Sequence, residues 1–136
     1  MIHPQPTDVA LPVGVGETQE TAVEVDYKEL KQHAYLYDKK WITIEAYLQE
    51  DEDGMNNTLQ ADAKDHLPIE GIAIRSYIPE KLEEYVHKCF ELTRDGKRTK
   101  VRISGYFEVN PWEMEREGAD CIQILRNIYA LDAIEE

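Results

Sequence analysis

Histidines, hydroxyls and clustered carboxylates are the groups in this chain best equipped for chemistry, and their spacing decides what they can do. His3, His33, His66 and His87 are scattered and lack the HExxH-type spacing that places two imidazoles on one metal. Ser76 and Ser104 fall in the middle of strand-like stretches, without the GxSxG turn that exposes a nucleophile. Neither a phosphate loop nor a GxGxxG fingerprint occurs, and no nucleophile stands at a readable distance from a base. Asp51, Asp53 and Gly54 fall near positions three, five and six of a calcium loop. Positions one and twelve would then be Gln49 and Gln60, which lack the carboxylates such a loop needs, so the match fails. The chain therefore reads as non-catalytic, with no catalytic residue, metal ligand or cofactor assigned.

Binding chemistry is better represented. Arg94, Lys97, Arg98, Lys100 and Arg102 form a basic run opposed within it only by Asp95, which is either an electrostatic footprint for phosphate or the solvated end of a helix and its turn. Against it stands a formal net charge of −13, which repels phosphate backbones and makes any nucleic-acid reading depend on a local basic patch. Cys89 and Cys121 do not match a four-ligand zinc site or a disulfide-dense scaffold, and they read as buried, inert thiols, with a bridge between them under the barrel as the alternative. No apolar stretch approaches the length of a membrane span, and the N-terminus lacks the basic start and apolar run of a signal peptide. A soluble cytoplasmic protein is expected, or a periplasmic one if an export signal has been removed.

The elements that must position these groups follow from periodicity. In 100–110, KVRISGYFEVN, Val101, Ile103, Gly105, Phe107 and Val109 alternate with polar residues, as in a half-buried strand. Residues 42–48, ITIEAYL, echo its central part with Ala46 where the later stretch has Gly105, and small residues at matching steps suit the tight bends of a small barrel. Residues 1–24, carrying Pro4, Pro6 and Pro12, read as a flexible arm, and 25–136 as one domain. Asp26 and Glu29 have capping-box spacing, with Val25 and Leu30 placed for a hydrophobic staple, which predicts a helix over 27–35. Strands are expected over 41–49, 58–64, 70–78, 100–110 and 121–131. On the last, Ile122, Ile124 and Ile128 should share one face, with Leu125, Tyr129 and Leu131 on the other. Pro79 opens a further helix that Gly96 stops, and Leu82, Tyr85, Val86, Cys89 and Phe90 form its packing stripe. His87 falls on its mostly polar face.

Three strands, a helix and two strands is the order of the OB-fold, and over about 39–133 the chain resembles that family, in particular small stand-alone bacterial OB-fold proteins described as nucleic-acid-binding-like. The resemblance implies a mainly β, five-stranded Greek-key barrel with its helix between the third and fourth strands, preceded here by the short N-terminal helix. It makes ITIEAYL and VRISGYF neighbours. It also implies a ligand face on the second and third strands, flanked by the loops EDEDGMNN and NPWEMEREGAD. Both loops are acidic, which departs from an oligonucleotide cleft. The expected function is a non-catalytic binding module that engages a protein partner, a basic one on this charge, through Asp51, Asp53, Glu113, Arg75 and the aromatics Trp112, Tyr47 and Tyr77. The alternatives are single-stranded nucleic-acid binding through Tyr77, Arg75 and the basic run, and acidic mimicry of a nucleic acid.

Overall fold

The computed structural model describes residues 11–50, 57–67, 70–110 and 122–135. Its elements in chain order are β1 (Val23–Glu24), α1 (Tyr27–Gln32), β2 (Lys40–Glu50), β3 (Asn57–Gln60), β4 (Ile72–Ile74), α2 (Leu82–Leu92), β5 (Thr99–Asn110) and β6 (Ile122–Ala133). β2, β3, β4, β6 and β5 pair in that order, and β5 returns to pair with β2, so the sheet closes on itself. Among these five strands every pairing is antiparallel except β4 with β6, which is parallel. This is a mainly β, OB-fold-like five-stranded barrel, with α2 between its third and fourth strands.

The echoing strands lie side by side, and their antiparallel register crosses the echo over. Ile42 faces Gly105, Ile44 faces Ile103 and Ala46 faces Val101. Each small residue thus sits opposite a branched one, and the inward set Ile42, Ile44, Ala46, Leu48, Val101, Ile103, Phe107 and Val109 is buried as the alternation requires. Gly105 has a stricter reason for its size. A Cβ there would lie 2.8 Å from both Arg126 O and Ile128 Cδ1, because β6 bulges toward it.

That bulge corrects the expected faces of the last strand. Between the pairs Ser104–Ala130 and Tyr106–Arg126, β6 carries extra residues, with Asn127 at φ 53°. Ser76 fixes the distortion: its Oγ accepts from Asn127 N at 3.0 Å, and its carbonyl accepts from Ile128 N at 2.9 Å. Leu125, Ile128 and Leu131 consequently all point inward and are buried, whereas strict alternation put Ile128 on the other face.

Other boundaries shift for local reasons. The second expected strand stops at Gln60 because Asp62 Oδ1 accepts from Lys64 N and turns the chain. The third is regular only over Ile72–Ile74, beyond which 75–78 grips β6 at separate points: Arg75 N–H donates to Leu125 O, Ile78 N–H to Ile128 O, and Tyr77 bridges Ile128. α1 ends at Gln32 and continues as a tighter 3-10 turn through Tyr37. Its capping box is half made, since Asp26 accepts from Glu29 N while the Glu29 carboxylate accepts from the Tyr37 hydroxyl at 3.0 Å and meets His33. Pro79 opens a 3-10 turn before α2. The helix itself stops at Leu92, where Thr93 Oγ1 bonds Cys89 O, and Gly96 closes the next turn. Residues 11–24, read as part of an arm, pack on the barrel: Val23 pairs with Ile42 in parallel, Trp41 N–H donates to Gly16 O, and Tyr129 Oη donates to Gln19 O.

The strand register puts the start of β2, the end of β3 and the start of β4 at one end of the barrel. α1 closes that end, with Tyr27 Oη on Leu59 O, Lys31 Nζ on Gly71 O, and Leu30, Ala34 and Tyr37 in the core. α2 covers the opposite end, where Tyr85 Oη donates to Tyr129 O and Lys88 Nζ to Leu131 O, each at 2.6 Å.

Candidate interaction surfaces

The barrel offers three outward surfaces on which the expected binding residues fall. Across β2 and β5, outward side chains pair rung by rung. Trp41 meets Tyr106 edge to face at 5.2 Å, Thr43 Oγ1 lies 2.7 Å from Ser104 Oγ, Glu45 pairs with Arg102, and Lys100 lies over the Tyr47 ring at 6.0 Å. Arg102 is also held by Glu24 of β1, and these carboxylates push its pKa above the usual arginine value. Elsewhere in the basic run, Arg94 pairs with Glu91 at 2.6 Å and lies over the Phe90 ring, while Arg98 pairs with Asp65 at 2.8 Å. Lys97 is exposed, with no ion-pair partner among the described residues. The run is contiguous in sequence but is distributed in space over a helix end and a ladder of neutralising carboxylates.

The face of β3 and β4, where the OB resemblance implies a ligand, is covered by the chain's own return from β3. Gln49, Thr58 and Gln60 alternate with inward Leu48 and Leu59 and so point outward, yet all three are buried. Segment 61–67 and the start of β4 fold over them. Gln49 Nε2 donates to His66 O at 3.0 Å, and Arg98 donates to Lys64 O and to Gln49 Oε1. A side chain at Gly71 would run into Leu59 O and the Gln60 amide. His66 fastens the segment, its Nε2 2.7 Å from Asp62 Oδ1 and its Nδ1 3.2 Å from Glu70 Oε1. Both ring nitrogens face carboxylate oxygens, which suits the imidazolium. The bond to Asp62 is the main cause of a raised histidine pKa, and it lowers that of Asp62 in turn. Burial together with Asp62 and Glu70 pushes the Tyr27 hydroxyl up to about 12.

The third surface is the outward side of α2. Tyr85 and Cys89 are buried as expected, but Leu82, Val86 and Phe90 from the same expected packing stripe are 48%, 50% and 57% exposed. Two adjacent apolar rows run along this helix, and only the row of Tyr85, Cys89 and Leu92 joins the core. Where the second row meets the strands, a cleft of about 150 Å³ opens, lined by Glu50, Asn57, Tyr77, Val86, Cys89 and Phe90, with Thr93 at its end. Tyr77 lies in its wall, its ring 6.1 Å from that of Tyr85 and its hydroxyl 3.3 Å from Cys89 Sγ. Burial, then the thiol beside it, drives the Tyr77 pKa far above its ordinary value. Burial likewise raises that of Cys89, partly offset by the Tyr77 hydroxyl, which leaves a thiol of low reactivity.

These geometries place the sequence-derived residues apart. Tyr77, expected as an exposed stacking platform, is half-buried under α2, and Tyr47 stands in the β2–β5 ladder. Arg75 is exposed just beyond β4. Asp51, Asp53, Trp112, Glu113 and Cys121 lie outside the described residues. Among the described residues, no three His, Cys, Asp or Glu side chains converge as a metal site would require, and no helix is long and apolar enough to cross a membrane. Leu82, Val86 and Phe90 are the surface residues that sequence reasoning assigned to packing. The signal that marks them is the width of the apolar sector on α2, which exceeds what one side of a small barrel can cover.

Comparison with protein-family models, with curated proteins and with solved structures gives no match at the level of significance applied. The class is thus defined by the fold alone, an OB-fold-like barrel capped by a helix at each end, and function has to be argued from the surfaces.

Proposed function

We propose that this chain is a non-catalytic binding module of OB-fold type whose partner is a protein. The observation that carries the reading is the neutralisation of the basic run: Arg94, Arg98 and Arg102 are each paired with carboxylates, and Lys100 is laid on Tyr47. A strand of nucleic acid needs free cations tracking its phosphates and aromatic faces for its bases. Here the three arginines of the run are paired and only Lys97 of the run is exposed without an ion-pair partner among the described residues, Tyr77 is half-buried, and segment 61–67 lies over the face of β3. The formal charge of −13 adds long-range repulsion of phosphates and attraction of basic proteins.

Fluorescence anisotropy with labelled single-stranded DNA and RNA, at low and at physiological ionic strength, tests this reading. No binding at either strength is expected. Binding at low salt that disappears in Lys97→Gln/Arg98→Gln/Lys100→Gln would replace it with the nucleic-acid alternative.

A further inference from the structure

From the outward side of α2 we infer the kind of partner the module takes: an amphipathic helix with apolar residues on one face and Lys or Arg flanking them. The inference rests on the protein-binding reading and adds a surface and a chemistry to it. Leu82, Val86 and Phe90 follow one another at four-residue steps, making a ridge that a second helix can pack along. The cleft beside Val86 and Phe90 supplies depth. Its volume of about 150 Å³ matches that of a cavity able to hold a benzene-sized group, so one aliphatic or aromatic anchor from the partner can enter it.

Charge selects the partner's sign. Glu80 on the 3-10 turn before α2, and Glu83 and Glu84 on its first turn, are exposed with no ion-pair partner among the described residues, and Glu50 stands at the rim of the cleft. Two of the three cations of this region, Lys88 and Arg94, are paired with carboxylates, and Lys81 has no ion-pair partner among the described residues. Lys88 donates to Leu131 O, Arg94 pairs with Glu91, and Lys81 lies near the Tyr85 ring. Glu80, Glu83 and Glu84 outnumber Lys81, so the unpaired charge around the ridge is negative on balance, and complementary potentials favour a basic approach. A second copy of this chain would bring its own −13 and meet like charge at the same ridge.

The test uses the full chain and three labelled synthetic peptides: an amphipathic helix of Leu and Lys, a scramble of the same composition, and the Leu and Glu counterpart. Only the first is expected to bind. Val86→Gln/Phe90→Gln should weaken it about tenfold or more, Glu80→Gln/Glu83→Gln/Glu84→Gln a few-fold, and Glu20→Gln, away from the helix, should leave it unchanged. Circular dichroism checks that each variant remains folded. Equal binding of the scramble, or no loss in the Val86/Phe90 variant, would reduce the effect to general charge attraction and overturn the inference. Wild-type dimerisation in sedimentation that is lost in the same variant would overturn it in favour of a second copy. Oligonucleotide binding in the earlier experiment sinks the module reading itself, whereas silence of both peptides and oligonucleotides sinks only the helix partner.

Discussion

The two helices close opposite ends of one barrel, and they spend their apolar residues differently. On α1 and the turn after it, Leu30, Ala34 and Tyr37 are all buried, and a six-residue helix is held by what it inserts. α2 is nearly twice as long, yet only Tyr85 and Cys89 on it are buried, while Leu82, Val86 and Phe90 are left in water. An isolated helix as short as α1 would not persist, so its structure depends on the core it plugs. The longer helix carries an apolar row that the free chain does not use. One end of the barrel is therefore closed for stability, and the other presents a surface.

The largest effect should come from unplugging the α1 end. Leu30→Ala removes a fully buried side chain and is expected to cost about 2–5 kcal/mol in urea unfolding. A loss under about 1 kcal/mol would show that α1 merely rests on the barrel. Gly105→Ala comes next. Its Cβ would press on a β6 carbonyl that cannot move without undoing the bulge, and about 1–3 kcal/mol is expected from the same measurement.

Gly105 also shows how far sequence could be read. The alternation in KVRISGYFEVN and its echo in ITIEAYL specified two long neighbouring strands and their inward faces, because period two survives wherever one face is buried. The order of elements carried the barrel. What alternation could not carry was the break at Asn127, set by hydrogen bonds to Ser76 some fifty residues away, so Ile128 was placed on the wrong face. Short strands suffered similarly, since β4 is continued by single bridges to β6 rather than by a pattern of its own. On the candidate surface, composition disclosed the charge but not its pairing. Five cations close in sequence looked like a patch, and the pairing of three of them, Arg94, Arg98 and Arg102, with Glu91, Asp65, Glu24 and Glu45 depends on contacts up to 78 residues apart.

Between the two ends lies the segment that His66 fastens over β3, and its expected effect is smaller and depends on pH. The folded-state pKa of His66 lies above 6.5, so its contribution is complete below that value and fades as pH rises through the raised one. Asp62 titrates in the opposite sense. Its pKa is depressed below 3.8, so its share is present above that value and is lost as pH falls through the lowered one. The clasp is therefore strongest in mildly acidic solution. Amide exchange at Lys64 and Leu67, whose N–H groups bond Asp62 and Glu70, should be slower in the wild type than in His66→Gln there, with the difference shrinking toward alkaline pH. A difference independent of pH would mean that the ring acts by packing alone.

The smallest effect is the one on which the contrast between the helices turns. Leu82→Gln, Val86→Gln and Phe90→Gln exchange half-exposed apolar groups for a residue of comparable helix propensity, and each should change stability by no more than about 0.5 kcal/mol. Buried groups of this size cost several times more, as expected for Leu30. The comparison is informative because all three substitutions fall on one exposed row of α2, whereas Leu30 lies on the helix that plugs the core. A loss of well over 1 kcal/mol at Val86 or Phe90 would indicate that the row is covered in the free chain, by itself or by another copy, and α2 would then resemble α1. Near-neutral values at all three positions would leave a helix whose second row contributes nothing to folding, and apolar surface retained at no gain in stability is best accounted for by a partner that covers it.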